Sequence, residues 1–301
     1  MNNKVVIIGA GVAGMTAAIY LKRAGINPLL VEAKRPGGQI NMALKVENFP
    51  SYESISGRDL GAKIFEQIKS LGVDYLKDEI LTVDKTETGF CLKLKSGNSV
   101  ECETIFLATG KKNKQLRIPN VNDFLGVGLS YCATCDGMFF KNKDVMVVGD
   151  TNEAIEDAIY LANICQKVFI LSENSKLSAD SYYRKKLDKF SNIEIIYSCI
   201  LKELVKDDFL TSALIVEKES GLEREIKISG CFACVGYVPN SEMISHLVEL
   251  NGNNYVIVDK HKKTTCKGIY AIGDVTDTRV YQLVTAMGDA AIAASSYLGQ
   301  I

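Results

Sequence analysis

The stretch from Lys4 to Glu32 constrains the fold more than any other. Lys4 to Ile8 is a short apolar run rich in β-branched residues, the pattern of a buried strand. Gly9-Ala10-Gly11-Val12-Ala13-Gly14 follows, and then Met15, Ala18, Ile19 and Leu21 recur at helical spacing. A second strand, Pro28 to Val31, ends at Glu32 and Ala33; the acid lies 23 residues after Gly9. The glycines permit a tight turn, close approach of backbone to a pyrophosphate, and close helix–strand packing. The helix N-terminus offers N–H donors to phosphate, and the acid takes ribose hydroxyls. A glycine signature alone is weak and also fits a turn with no ligand. Strand, turn, helix, strand and acid together describe a dinucleotide-binding fold.

The pattern occurs twice. Asp144 to Val148, Gly149, Glu153 to Ile164 and Lys167 to Leu171 repeat strand, turn, helix, strand. The expected class is therefore α/β, with two Rossmann-like three-layer nucleotide-binding domains, the second inserted in the first. A basic link, Lys111, Lys112, Lys114 and Arg117, is broken by Pro119 and marks the first junction. The expected domains are 1–112 with 246–301, enclosing 113–245.

Within the first domain, Gly57 to Leu71 reads as an amphipathic helix. Ile80 to Val83, Phe90 to Leu94 and Val100 to Cys102 read as a small antiparallel sheet, and Thr104 to Gly110 as a strand ending in a small-residue turn. In the second, Ile193 to Tyr197, Ala213 to Glu217 and Glu225 to Ile228 read as strands, and Cys231 to Asn240 closes the insertion. Gly268 to Asp274 is a last strand ending in a carboxylate. Gln282 to Leu298 is a helix of small residues, the kind that packs against a cofactor or a dimer partner.

Cys132-Ala133-Thr134-Cys135-Asp136-Gly137 lies between the two folds. Two thiols three residues apart can close into a disulfide and reopen, so electrons are expected to pass from a bound cofactor to this pair. The alternatives are two buried apolar thiols or half of a zinc site. Zinc needs two further ligands, and the chain has only His246 and His261. A second Cys-x-x-Cys, Cys231 and Cys234, sits in an apolar run where residues three apart point to opposite faces; it reads as core. Cys91, Cys102, Cys165, Cys199 and Cys266 read the same way. Nine cysteines, an odd number scattered through core segments, do not form a secreted disulfide framework. The expected compartment is a reducing cytosol, where a disulfide is catalytic or regulatory. A net charge of −1 shows no excess that would favour nucleic acid. No apolar stretch reaches transmembrane length, and the N-terminus lacks a signal-peptide pattern.

These pieces together resemble the low-molecular-weight thioredoxin reductases over nearly the whole chain. The matching segments are Gly9 to Gly14, Pro36 to Gln39, Val46 to Pro50, Ala108-Thr109-Gly110, Cys132 to Gly137, Gly236 with Pro239-Asn240, Gly273-Asp274 and Gln282 to Ala286. The resemblance implies FAD in the first fold, held by Gly9, Gly11, Val12, Ala13, Gly14, Glu32, Ala33, Gly38, Gln39, Asn48, Ile80, Thr109, Gly110, Asp274, Gln282 and Leu283. It implies that Cys135 receives electrons from FAD, that Cys132 forms the mixed disulfide with thioredoxin, and that Asp136 carries the proton. Asp136 also reads as a turn or cap acid. It implies a homodimer.

The second fold departs from the family. Thr151 stands where the family has a glycine, and a Cβ there obstructs approach to a pyrophosphate. Asp150 sets a carboxylate near the phosphates. Ser172, Glu173, Asn174 and Ser178 stand where the family carries His-Arg-Arg and a further arginine for the 2′-phosphate of NADPH. Glu173 could instead take the ribose hydroxyls of NADH. This combination resembles the ferredoxin-dependent flavin thioredoxin reductases, in which FAD collects electrons one at a time. Basic docking candidates for an acidic ferredoxin are Lys111 to Arg117, Arg184-Lys185-Lys186 with Lys189, and Lys260 with Lys262-Lys263. Other readings stay open here: an NAD(P)H-dependent reductase with an atypical site, a flavin-dependent dithiol oxidase, and a non-catalytic redox sensor.

Overall fold

The computed structural model describes residues 2–43, 45–278 and 280–300. The chain forms two compact units, Met1–Lys112 with Val238–Ile301, and Asn113–Tyr237.

In the first unit, strand Asn2–Ile8 lies at the middle of a seven-stranded sheet. The order is 74–77, 29–32, 2–8, 99–107, 90–94, 80–85, with the seventh strand, 269–271, paired to 99–107. Strict alternation along the central strand serves both faces. Val5 and Ile7 enter one core with helices Val12–Arg23, Gly57–Ser70 and Leu283–Tyr297. Val6 and Ile8 enter the other, with Val83, Leu92 and Ile244. Parallel strands buried on both sides need such continuous apolar runs.

The strand expected as 100–102 and the one expected as 104–110 are one strand, Ser99–Leu107. Its first half pairs antiparallel with 90–94. Its second half pairs parallel with Ile269–Ala271. The small antiparallel sheet is therefore an extension of the main sheet. One nine-residue strand with two partners on the same edge looks like two elements in sequence.

The second unit repeats the plan. A parallel sheet runs 193–196, 167–171, 144–148, 230–233, 129–130, beside an antiparallel sheet 199–206, 210–217, 223–227. Val145 and Val147 face the helix Asn152–Ala162; Met146 and Val148 face the opposite core. The strand Cys199–Lys206 escaped the sequence reading because its register shifts between Leu201 and Glu203, which breaks the two-residue period.

The return crossing falls at Tyr237 to Val238, eight residues before the expected 245/246 junction. The reason is local. Asn240 N–H donates to the Gly110 carbonyl at 2.9 Å. Ile244, with no exposed surface, and Val248 then pack into the core of the first unit. The turn after Pro239 thus already belongs to the first unit.

Candidate active site

Two sites are built, one in each unit. In the first, Gly9 takes φ +101°, and a Cβ there would lie 2.5 Å from the Ala108 carbonyl oxygen. A Cβ on Gly14 would lie 1.9 Å from the Gly9 carbonyl oxygen. At Gly11, by contrast, a Cβ would meet nothing within 4 Å. Gly9 and Gly14 are consumed by packing, and Gly11 leaves open space at the helix start. No side chain caps that helix. Val12 and Ala13 have buried side chains, so they offer backbone N–H groups. Gly14→Ala should destabilise this unit by about 1–3 kcal/mol, since backbone must move to admit the methyl. A lower melting temperature, with FAD released at that lower temperature, is the expected measurement.

Other segments converge on this turn. The Glu32 carboxylate accepts from Ala10 N–H at 2.7 Å and from Lys34 N–H at 2.8 Å. The acid thus shapes the loop, with Ala33 exposed beside it. Gly37 N–H donates to the Ala10 carbonyl at 2.8 Å. That seats Gly38, exposed, 3.1 Å from the Gly11 Cα as measured from its ideal Cβ. Gln39 Nε2 donates to the Lys111 carbonyl at 2.7 Å. Asn48 Nδ2 donates to Gln282 Oε1 at 3.0 Å. Gln282 caps the helix that begins at Leu283, through a reciprocal box with Thr285. Thr109 Oγ1 donates to the Asn240 carbonyl at 2.7 Å, and Asn240 Nδ2 returns a bond to the Thr109 carbonyl at 2.9 Å, which holds the Gly110 turn. An ideal Cβ on Gly273 would sit 3.0 Å from Ala13 Cβ and 3.5 Å from Ala286 Cβ. This close packing brings Asp274 to the start of both helices. Ile80 is different: its side chain is 5% exposed and belongs to the second core. That leaves its backbone for any ligand contact.

Lys111 was legible only as part of a basic link. Its Nζ lies 3.2 Å from Asp274 Oδ2 and 3.9 Å from the Tyr281 ring centroid, and its side chain is 10% exposed. It belongs to the lining and is no docking residue. Lys262, ion-paired with Asp289 at 2.6 Å, leaves the third docking candidate in the same way.

In the second unit, Cys132 and Cys135 are joined by a disulfide. Cys132 precedes the single turn Ala133–Asp136, and its Sγ accepts from Cys135 N–H at 3.2 Å. Cys135 is exposed and Cys132 half-buried. Ser130 Oγ donates to Asp136 Oδ2 at 2.6 Å and accepts from Cys132 N–H at 3.0 Å. One hydroxyl thus ties the acid to the first cysteine. No sequence pattern singled out Ser130. Met138 and Phe139 follow the pair, 59% and 75% exposed.

The other thiols are buried except Cys91, which the sequence placed in the core and the structure leaves half-buried. Cys231 and Cys234 face opposite cores. Burial pushes Cys231 and Cys102 up to about 12 and Cys165 up to about 11.

The second glycine turn is filled from within. Asp150 Oδ2 accepts from Ser172 Oγ at 2.9 Å and from Asn174 Nδ2 at 2.7 Å. Asp150 is 9% exposed and Ser172 is fully buried. Ser172 Oγ also accepts from Asn174 N–H at 3.1 Å, and the Asp150 carbonyl accepts from Ala179 N–H at 2.9 Å. Glu173 is exposed. Of the positions where the family carries its histidine and arginines, Ser172 and Asn174 are therefore partners of a carboxylate, while Glu173 and Ser178 are exposed.

The family described as pyridine nucleotide-disulphide oxidoreductase matches residues 3–290. A thioredoxin reductase of Rickettsia felis is 36% identical over 299 residues, spanning 98% of this chain and 96% of the relative. One of Bacillus subtilis is 35% identical over 293 residues, spanning 97% and 92%. The solved thioredoxin reductase of Lactococcus lactis is 34% identical with a TM-score of 0.95, spanning 99% of this chain and 98% of that one. Fold and redox turn define a flavin-dependent disulfide oxidoreductase, a class whose cofactor is FAD. Within that class, the chain belongs to the thioredoxin reductase family.

Proposed function

We propose that this chain reduces the disulfide of thioredoxin through Cys132 and Cys135, with electrons from reduced ferredoxin rather than from NADPH. The observation that carries the choice of donor is the Asp150–Ser172–Asn174 network. A nucleotide needs open backbone and cationic forks there. This chain offers a buried, hydrogen-bonded carboxylate.

The first site fits FAD. The open space at Gly11, the uncapped helix and the converging turns suit a dinucleotide. Gly9 to Gly14, Glu32, Ala33, Gly38, Gln39, Asn48, the backbone of Ile80, Thr109, Gly110, Asp274, Gln282 and Leu283 would hold it. Bound FAD supplies a store that can be filled one electron at a time and emptied two at a time.

Cys135 is the sulfur that receives the electron pair. The S–S bond breaks, and two electrons and two protons give two thiols. As thiolate, Cys132 attacks one sulfur of the partner's disulfide and expels the other. Cys135 then attacks Cys132, restores the internal disulfide and releases the partner as a dithiol. Asp136, held by Ser130, carries protons at the pair. Met138 and Phe139 offer the apolar surface on which the partner docks. The exposed cations Arg184, Lys185 and Lys189 offer a basic surface to an acidic donor, and Lys112, Arg117, Lys260 and Lys263 of the other two candidates are exposed as well. A homodimer and a cytoplasmic setting belong to the same reading.

The deciding assay supplies photoreduced ferredoxin and follows reduction of insulin disulfides through thioredoxin. Steady turnover that needs all three proteins is expected. Rapid flavin bleaching by micromolar NADPH or NADH, or peroxide release from a small dithiol without ferredoxin, would overturn the reading.

A further inference from the structure

The helix Asn152–Ala162 is the seat of the redox turn. Ala133, 1% exposed, packs with Ala154, Ile155, Ala158 and Leu161. An ideal Cβ on Gly137 would touch Leu161 at 3.0 Å and Tyr160 at 3.1 Å. The same helix carries Asp157, half-buried beside this packing. Its carboxyl faces the backbone N–H of Ala133, the residue after Cys132, which favours the ionised form. Its Oδ2 accepts from Cys234 Sγ at 3.3 Å. Beside it, Tyr237 donates to Glu153.

We propose that Asp157 is a positioning residue for the Cys132–Cys135 pair, and that its protonation state sets the reactivity of the reduced thiols. The path is short: the carboxyl faces the N–H of Ala133, on the backbone that links the two cysteines, and Ala133 packs on the helix that carries Asp157. An ionised Asp157 places negative charge beneath the turn, which opposes thiolate formation. A protonated one removes that opposition. The groups facing it are Glu153 and Glu156 from its own helix, and Cys234 and Tyr237 from the segment after strand 230–233. The two glutamates raise its proton affinity, and the Cys234 donor lowers it. Burial is the larger cause and brings the carboxyl up to about 7, inside the range where the pair must work.

The inference rests on reading Cys132 and Cys135 as the redox pair. Its test needs no ferredoxin and no thioredoxin, so a failed donor assay leaves it standing. The intact flavoprotein is reduced with dithiothreitol, freed of reductant, and alkylated with iodoacetamide from about pH 5.5 to about pH 9. The labelled peptide carrying both cysteines is followed by mass. In the wild type, thiolate formation and ionisation of Asp157 oppose each other, so the rate rises in a shallow two-step profile. Asp157→Asn keeps an acceptor for Ala133 and loses the charge. Its rate should rise in a single step and exceed the wild type by about tenfold near pH 8. Cys234→Ala removes the thiol donor and should move the carboxyl step to higher pH. Superimposable profiles for wild type and Asp157→Asn would overturn the proposal. Should the asparagine variant not fold, an unmoved step in Cys234→Ala overturns it equally.

Discussion

Cys135→Ser should remain a yellow, FAD-loaded protein and lose thioredoxin reduction by at least about a thousandfold, because a hydroxyl can neither hold an electron pair as a disulfide nor expel a partner's sulfur. The two consequences separate because the sites lie in different units. Every proposed FAD residue belongs to the first unit, and Cys135 to the second. The substitution replaces one exposed atom in a turn held by Ser130, Asp136 and the Ala133 packing, so folding should be retained. Cys132 in this variant keeps its thiol and should trap the partner as a stable mixed disulfide, visible on a non-reducing gel. Persistent turnover would sink the assignment of the pair. Loss of FAD together with turnover would show that the turn has a structural part in the first site.

The second large effect concerns nucleotide affinity. Mixed anaerobically with the oxidised flavoprotein, NADPH and NADH should leave the yellow colour unchanged at micromolar concentration. A charge-assisted hydrogen bond is worth about 1.5–3 kcal/mol, so the absence of two arginine contacts to the 2′-phosphate weakens NADPH binding by roughly a hundred- to ten-thousandfold. NADH, which has no 2′-phosphate, is opposed instead by the Thr151 Cβ and by Asp150 at the pyrophosphate. The Asp150 carboxylate adds repulsion toward a phosphate, and Ser172 and Asn174 fix it in place. For the same reason Asp150→Gly alone should not restore binding, because no cationic fork stands at 172–174. Equilibrium dialysis with NADPH checks this. A micromolar dissociation constant in the parent chain would overturn the loss of nucleotide binding.

Much of the fold is local and therefore legible. Lys167–Leu171 and Phe90–Leu94 carry uninterrupted strand patterns between turn residues, and both have the expected bounds. The helix at 57 starts at a Ser56 cap with Asp59 three residues on. The misses share one cause: an element whose partners are distant. Ser99–Leu107 is a single strand because two different neighbours continue its edge. Cys199–Lys206 is a strand because the bulge is absorbed by its partner at 210–217. The second junction shifts because Ile244 finds its core in the first unit.

The sites divide in the same way. Glycine spacing, the acid after the second strand and the Cys-x-x-Cys turn are sequence features, because their chemistry depends on a few bonds of chain. The missing arginines were legible too, since absence at a motif position needs no coordinates. What fills the gap was not. Asp150 meets Ser172 across 22 residues, and only the parallel sheet brings the two turns side by side. Lys111 meets Asp274 because Ile269–Ala271 pairs with Ser99–Leu107, so the turns that follow end together. Asp157 looks in sequence like one more surface acid on an amphipathic helix. Sequence alone determined that this chain has two nucleotide-type folds and a Cys-x-x-Cys turn able to close as a disulfide. Tertiary structure decided which charges are sealed from water, because burial and pairing are set by what the distant chain packs against them.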